Sequence, residues 1–354
     1  MAENLGIGAE ILGTEKILAI DIGGGTQDIL LYDPAKTIEN CYKLVLPSPT
    51  VVIAQQIRQV TQQQRPLYLA GRLMGGGPAV KAVREHLEQG LAVYANADAA
   101  RTLNDDLDKV SSMGIRIEEI APVHAVTVEM GDLQLRQLDQ ALAPFGVDLP
   151  SKVAVAAQDH GESLAMSNRK FRFELWRDFL EKGGTLQDLV FTQAPRHFTR
   201  LQSIQQAAPE CILMDTGSAA VWGALCDPQV AQHRQRGLMV VNIGNQHTLA
   251  FLIKGDRIWG VFEHHTKKLA PQEIVDYAQR FLRGQVTNEE VFNSTGHGCW
   301  THPEAPLFPQ DTFIAITGPN RNLVQEVGWY QAAPYGDMML TGCFGLIAAY
   351  AQTL

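Results

Sequence analysis

Short apolar runs of strand length alternate with longer segments of helical period from one end of the chain to the other, the pattern of an α/β protein. Residues 17–20, 29–32, 67–70, 153–157, 211–214, 238–243, 249–253 and 313–317 read as strands. Residues 50–64 carry Ile53, Ile57 and Val60 on one helical face, and residues 78–89 open with a proline suited to a first helical turn. Residues 171–181 and 271–282 follow the same period, while 338–351 is apolar on every side and rich in small residues, as a buried helix is. No low-complexity tract or Gly/Ser linker interrupts this order, so short connections inside one body are expected. No apolar run approaches the roughly 20 residues needed to cross a bilayer. The run at 211–214, for example, is cut short by Asp215.

Within this alternation one layout occurs twice. In ILAIDIGGGTQDILLYD a strand reaches Asp21, turns through Gly23, Gly24 and Gly25, passes Thr26 and Gln27, and returns as a strand. In VNIGNQHT, residues 241–248, a strand reaches Asn242, turns through Gly244, Asn245 and Gln246, and returns in the same way. Successive glycines let backbone N–H groups approach an anion closely and adopt positive φ at little cost, which makes a concave phosphate site. A carboxylate at the mouth of such a turn, here Asp21, is placed to hold Mg²⁺ directly or through water. Neither turn is a Walker A loop, since no Gly-Lys-Ser/Thr follows. A dinucleotide site is disfavoured because its glycine turn opens a helix, whereas a strand follows here.

Other candidates stand at strand ends and in loops. The 153–157 strand ends in Gln158-Asp159-His160-Gly161, where Asp159 or His160 would position water or act as a general base, or Asp159 would simply cap a helix. Asp215, after the 211–214 strand, is a second carboxylate for the same cleft, or the cap of the helix carrying Ala219, Ala220 and Trp222. His297, Cys299 and His302, with His264 and His265, offer a mixed nitrogen and sulfur set for a transition metal, or a substrate-contacting loop. The basic stretch 193–200, with Arg196 and Arg200, suits an anionic substrate unless it is a solvated helix start. The glycine loop 73–78 enters a helix N-terminus and is either a further anion site or a flexible turn.

In order and spacing these motifs resemble the class of two-domain ATPases that includes actin, the sugar kinases and the heat-shock chaperones. Residues 21–28 look like its first phosphate hairpin, DTGSAAVWGAL (215–225) its first interdomain helix and 242–248 its second hairpin. ITGPNR (316–321) resembles the strand-turn beside the adenosine, and LTGCFGLIAAY (340–350) the closing helix. The resemblance implies an α/β fold of two ribonuclease H-like domains, 1–235 and 236–354, facing a central nucleotide cleft. It implies ATP and Mg²⁺ as ligands: Gly23, Gly24, Gly25, Thr26, Gln27, Gly244, Asn245 and Gln246 around the phosphates, Gly318 at the adenosine, Asp21 at the metal, and Asp159, His160 or Asp215 at the attacking nucleophile. One departure is Asn242, where the class carries Asp, so no charge reaches a metal from the second hairpin. Within the class, the DIGGGTQDILLYD start, Asp159-His160-Gly161 and the GHGC run are similar to a prokaryotic family labelled as related to a pyruvate formate-lyase activating enzyme. A protein partner would then be driven by cleft closure. A small-molecule kinase acting on an anionic substrate and a nucleotide-sensing scaffold are the alternatives.

Composition narrows the partners. The chain has 354 residues, enough for two cores at about 150 residues each. Its 29 Lys and Arg against 38 Asp and Glu give a net charge of -9, which disfavours a phosphate-neutralising nucleic-acid surface. Cys41, Cys211, Cys226, Cys299 and Cys343 are scattered and odd in number, which fits a reducing, cytoplasmic setting. They also lack the close spacing of an iron–sulfur site, so radical SAM chemistry is not expected. Glu3 and Glu10 and the lack of a basic n-region disfavour a secretory signal.

Overall fold

The glycine tip brings β1 (Ile17–Ile22) and β2 (Thr26–Tyr32) together as an antiparallel hairpin with Asp21 directly opposite Asp28, in a computed structural model that describes residues 15–353. Glu3 and Glu10, on which the reading of the N-terminus rested, lie outside the described residues. Strand β3 (Tyr42–Pro47) extends the hairpin. The chain then leaves the sheet to build a separate parallel one from β4 (Leu67–Gly71), β5 (Val93–Ala95), β6 (Ile115–Ile117) and β7 (Val126–Met130), in the order β6-β5-β4-β7. It returns as β8 (Lys152–Ala157) and β9 (Ile212–Met214), both parallel to β1, which completes the first sheet as β3-β2-β1-β8-β9.

The second sheet repeats that arrangement. Strands β10 (Leu238–Ile243), β11 (His247–Lys254) and β12 (Arg257–His265) form an antiparallel meander edged by β13 (Gly298–Thr301). Strands β14 (Phe313–Thr317) and β15 (Tyr330–Gln331) add parallel to β10, giving β13-β12-β11-β10-β14-β15. Three antiparallel strands followed by two parallel ones, twice over, is the ribonuclease H-like topology, so the α/β fold of two such domains is what the chain adopts. Asp21 in β1 and Asn242 in β10 occupy the same register position, each the partly exposed residue of an otherwise buried strand.

Two helices join the halves. Thr216–Ala224 and Thr341–Ala351 are apolar on all sides because they lie between the sheets, and their residues share one core with β1, β2 and β10. Their backbones approach so closely that a Cβ on Gly223 would overlap the Thr341 carbonyl and one on Gly345 the Ala219 carbonyl. The last helix, although near the chain's end, packs against the first sheet: the Cys343 thiol lies 3.1 Å from the Asp28 carbonyl oxygen. It starts at Thr341 and not at 338, because residues 334–336 form a short 3-10 turn and Thr341 caps back onto Met338. The inserted sheet has its own core of Ile53, Leu67, Leu69, Val83 and Val128. Of its strands only β4 stands among the strand runs above: β5 and β6 are three residues each, too short to show a period, and the five-residue β7 has Thr127 and Glu129 between its apolar residues and so forms no apolar run. Among the described residues no helix is long and apolar enough to cross a membrane.

Candidate functional site

Both hairpin tips point into one cavity of about 330 Å³. Asp21, Gly23, Gly24 and Thr26 line it from the first hairpin, Gly244, Asn245 and Gln246 from the second, Asp159 and His160 from the end of β8, and Gly318 from the end of β14. The inserted sheet adds a third wall through Gly75, Gly76, Gly77, Arg101 and Thr102. Gly25, Gln27 and Asp215 stand apart from the lining. Gly25 packs against the Asn245 amide and its carbonyl accepts from Ser48 N–H at 3.0 Å, while Gln27 donates to the Pro47 carbonyl at 3.2 Å along the sheet edge.

The hairpin glycines are needed for space and not for positive φ, contrary to the expectation from sequence: none of Gly23, Gly24, Gly25 or Gly244 is in the left-handed region. A Cβ on Gly24 would overlap the Gln246 side chain, and one on Gly25 would lie 2.9 Å from the Asn245 amide nitrogen, so the two tips nearly touch. Gly318 is different. Its φ of 95° and its closeness to the Ile243 carbonyl and the Asn242 amide require glycine on both counts.

Two carboxylates face the cavity beside the first tip. Thr216 Oγ1–H donates to Asp21 Oδ1 at 2.5 Å, and a Cβ on Gly342 would overlap Asp21 Oδ2, so that side chain is held from two sides. Asp28 Oδ1 is buried with no hydrogen-bond partner. Burial pushes Asp21 up to about 7, against the Thr216 hydrogen bond and with the help of the Asp215 charge. Burial likewise pushes Asp28 up to about 8, with Asp21 and Asp337 adding repulsion. Asp28 was not singled out from sequence, because only the antiparallel register places it beside Asp21. On the second hairpin Asn242 pairs with Leu249, so that tip brings no carboxylate at all.

Asp159 and Asp215 act as fasteners. Asp159 accepts from Gly161 N–H at 2.8 Å and Leu201 N–H at 3.0 Å, one on each oxygen, and burial raises it to about 6 despite these bonds. Asp215 caps the Thr216–Ala224 helix through Gly217 N–H at 2.9 Å and accepts from Arg172 at 3.0 and 3.3 Å. Arg172, which nothing in the sequence marked out, is buried and also donates to Glu263 at 2.5 Å and to the Asp159 carbonyl at 2.8 Å. Arg200 lines the cavity with its charge already taken by Asp132 at 2.8 Å, and Arg196 does not reach the lining. The mixed nitrogen and sulfur set is not assembled. His264 turns to Ser294, His302 packs beside Trp259 and Cys299 is buried in the second-domain core, while His265 and His297 pack together with ring centroids 4.7 Å apart and His297 Nε2 lies 3.0 Å from His160 Nε2.

A family model described as "Putative pyruvate format-lyase activating enzyme (DUF1786)" matches residues 74–323. No curated protein matches the chain. Among solved structures, the ethanolamine utilization protein EutJ from Carboxydothermus hydrogenoformans is 11% identical, with 94% of this chain and 88% of that one covered and a TM-score of 0.32. A Bacteroides thetaiotaomicron protein with an actin-like ATPase fold is 6% identical over 89% and 87%, TM-score 0.34. The Aquifex aeolicus Ppx/GppA phosphatase is 11% identical over 96% and 91%, TM-score 0.31. At such scores these likenesses carry no argument about ligand or activity.

Proposed function

The chain belongs to the DUF1786 family, and we propose that it is an Mg-ATP-binding ATPase of the actin-like class that serves as an accessory, activating protein for another enzyme. The observation that carries this reading is the pair of matching hairpins whose tips meet across one cavity, with two carboxylates beside the first tip. Backbone N–H groups at Gly24 and Asn245 receive phosphate oxygens, with the Thr26 and Gln246 side chains around them, and Gly318 leaves room for the adenosine; the Gly23 and Gly244 N–H groups are spent inside their own hairpins on the Thr26 and His247 carbonyls, each at 2.9 Å, and Gly25 and Gln27 shape the first tip from outside the lining. Asp21 and Asp28 suit a hydrated magnesium ion: both are oxygen donors, they repel one another, and Asp28 Oδ1 has no partner inside the protein. Bound there, magnesium neutralises phosphate charge. In this reading Asp159 and Asp215 hold the cleft's shape, His160 faces the terminal phosphate, and residues 1–235 and 236–354 are the halves that close. A protein partner driven by cleft closure is part of this proposal, and the cysteines do not supply radical SAM chemistry. Among the described residues the one group of three or more His, Cys, Asp or Glu near enough to share an ion contains no cysteine.

A second reading, phosphotransfer to a small molecule, is favoured by the third wall, where Gly75, Gly76, Arg101 and Thr102 enclose space beside the phosphate tips. Titration calorimetry with Mg-ATP and Mg-ADP, followed by phosphate release on the same sample, tests both. Wild-type protein binds Mg-ATP and Asp21→Asn binds at least tenfold more weakly; equal binding by the two sinks the hairpin reading. Binding with no phosphate release until a candidate acceptor is added would select phosphotransfer.

A further inference from the structure

We propose that His160, His247, Glu263 and His297 form a site for a transition-metal dication of the zinc class at the floor of the cleft, separate from the oxygen-only pair Asp21 and Asp28. One ligand atom from each of these four residues lies within 4.8 Å of all the others. The His160 and His297 Nε2 atoms are 3.0 Å apart. A tetrahedral ion with metal–nitrogen bonds of about 2.0–2.1 Å needs ligand–ligand edges of about 3.4 Å, so small side-chain movements complete the set. Three imidazoles and one carboxylate favour zinc and its neighbours over magnesium, which prefers oxygen.

The fold explains why they meet. His247 lies opposite His265 in the β11–β12 ladder, and Glu263 lies two residues from His265 on the same face. Glu263 pairs with Gly298 across the β12–β13 ladder, which brings His297 alongside. His160 arrives from the first domain, on the turn after β8. An ion held by all four would therefore tie the two domains together.

The local chemistry is that of a waiting ligand set. His297 Nδ1 is buried without a partner, and since Nε2 meets only His160, either tautomer leaves one nitrogen unsatisfied inside the protein. Burial keeps His160, His247 and His297 below the usual imidazole range, so at neutral pH each offers a lone pair. Burial alone would raise Glu263, but the Arg172 guanidinium at 2.5 Å outweighs it and keeps the carboxylate ionised. The surrounding shell is also built. Gln158 accepts from His247 Nδ1 and donates to Glu263 Oε1 at 2.7 Å, fixing His247 with its Nε2 lone pair free. Gln158, His160 and His247 line the cavity, so an ion can reach the four ligands from the cleft.

The test uses the whole chain, stripped of metal, with no nucleotide present, titrated with Co²⁺ and then Zn²⁺. Visible Co²⁺ absorption bands saturating at one ion per chain and lost on adding Zn²⁺ are expected. His247→Ala and His297→Ala should each weaken the ion at least tenfold, while Asp21→Asn keeps the bands. Circular dichroism of the metal-free variants checks that they remain folded, and His160→Gln gives an independent third substitution. Absence of stoichiometric bands in the wild-type chain, or bands that survive both histidine-to-alanine changes, overturns the proposal. Loss of Mg-ATP binding with these bands intact would sink the nucleotide reading alone.

Discussion

A carboxyl group whose pKa is higher in the folded than in the unfolded chain supports the fold only at low pH. The contribution of Asp21 is complete below 3.8 and gone above about 7, and that of Asp28 gone above about 8. The buried histidines, held below the usual imidazole range, act in the opposite sense in any one protein, so the comparison isolates the carboxyl: relative to the metal-free wild type, Asp28→Asn should gain stability as pH rises from 4 to 8, a change in slope, and should bind Mg²⁺ more weakly. Denaturant titrations at four pH values read both, and an unchanged slope in the variant would contradict the paired-carboxylate geometry. Gly342→Ala places a methyl group on Asp21 Oδ2. Overpacking of this kind costs about 1–3 kcal/mol, and here it should also lower Mg-ATP affinity, which calorimetry would detect; a variant with wild-type stability and affinity would show that the contact is slack.

At the scale of elements, the two central helices are apolar on all sides because each touches both halves, and they meet through glycine. Gly223→Ala and Gly345→Ala each drive a Cβ into a carbonyl of the other helix, where backbone cannot yield without moving the whole element. Each change should destabilise by about 1–3 kcal/mol or more, read from denaturant midpoints. A Gly90→Ala control meets nothing within 4 Å, although its φ of 75° carries its own smaller strain. If the helix variants cost no more than this control, the close crossing is not what holds the halves in register.

Across the whole molecule, Arg172 is a buried charged link between the domains. It sits on the Asn168–Glu181 helix of the first half and pairs with Glu263 in β12 of the second and with Asp215 at the head of the central helix. Removing the cation leaves Glu263 buried without its partner, and breaking such a pair costs about 3–5 kcal/mol. Arg172→Met should lower stability by that order and loosen the cleft, seen as faster amide exchange along β8 and β12; a loss below about 1 kcal/mol would mean the pair is dispensable.

The duplicated hairpin, the α/β class and the residues around the two tips were all present in the sequence, because a strand, a polar residue, a glycine turn and a returning strand are local patterns with local causes. The apolar helix at the end of the chain was legible for the same reason, since apolar residues on every side need burial on every side. What only the tertiary structure decided depends on register and on packing between distant segments. Asp28 joins Asp21 because antiparallel pairing sets them opposite. Asp159 and Asp215 spend their oxygens on backbone amides and on Arg172, which no spacing along the chain announces. Arg101 and Thr102 of the third wall follow β5, a strand too short to carry a period, and His160, His247, Glu263 and His297 meet only because two domains close on one another. A sequence records neighbours along the chain, whereas a binding site is made of neighbours in space.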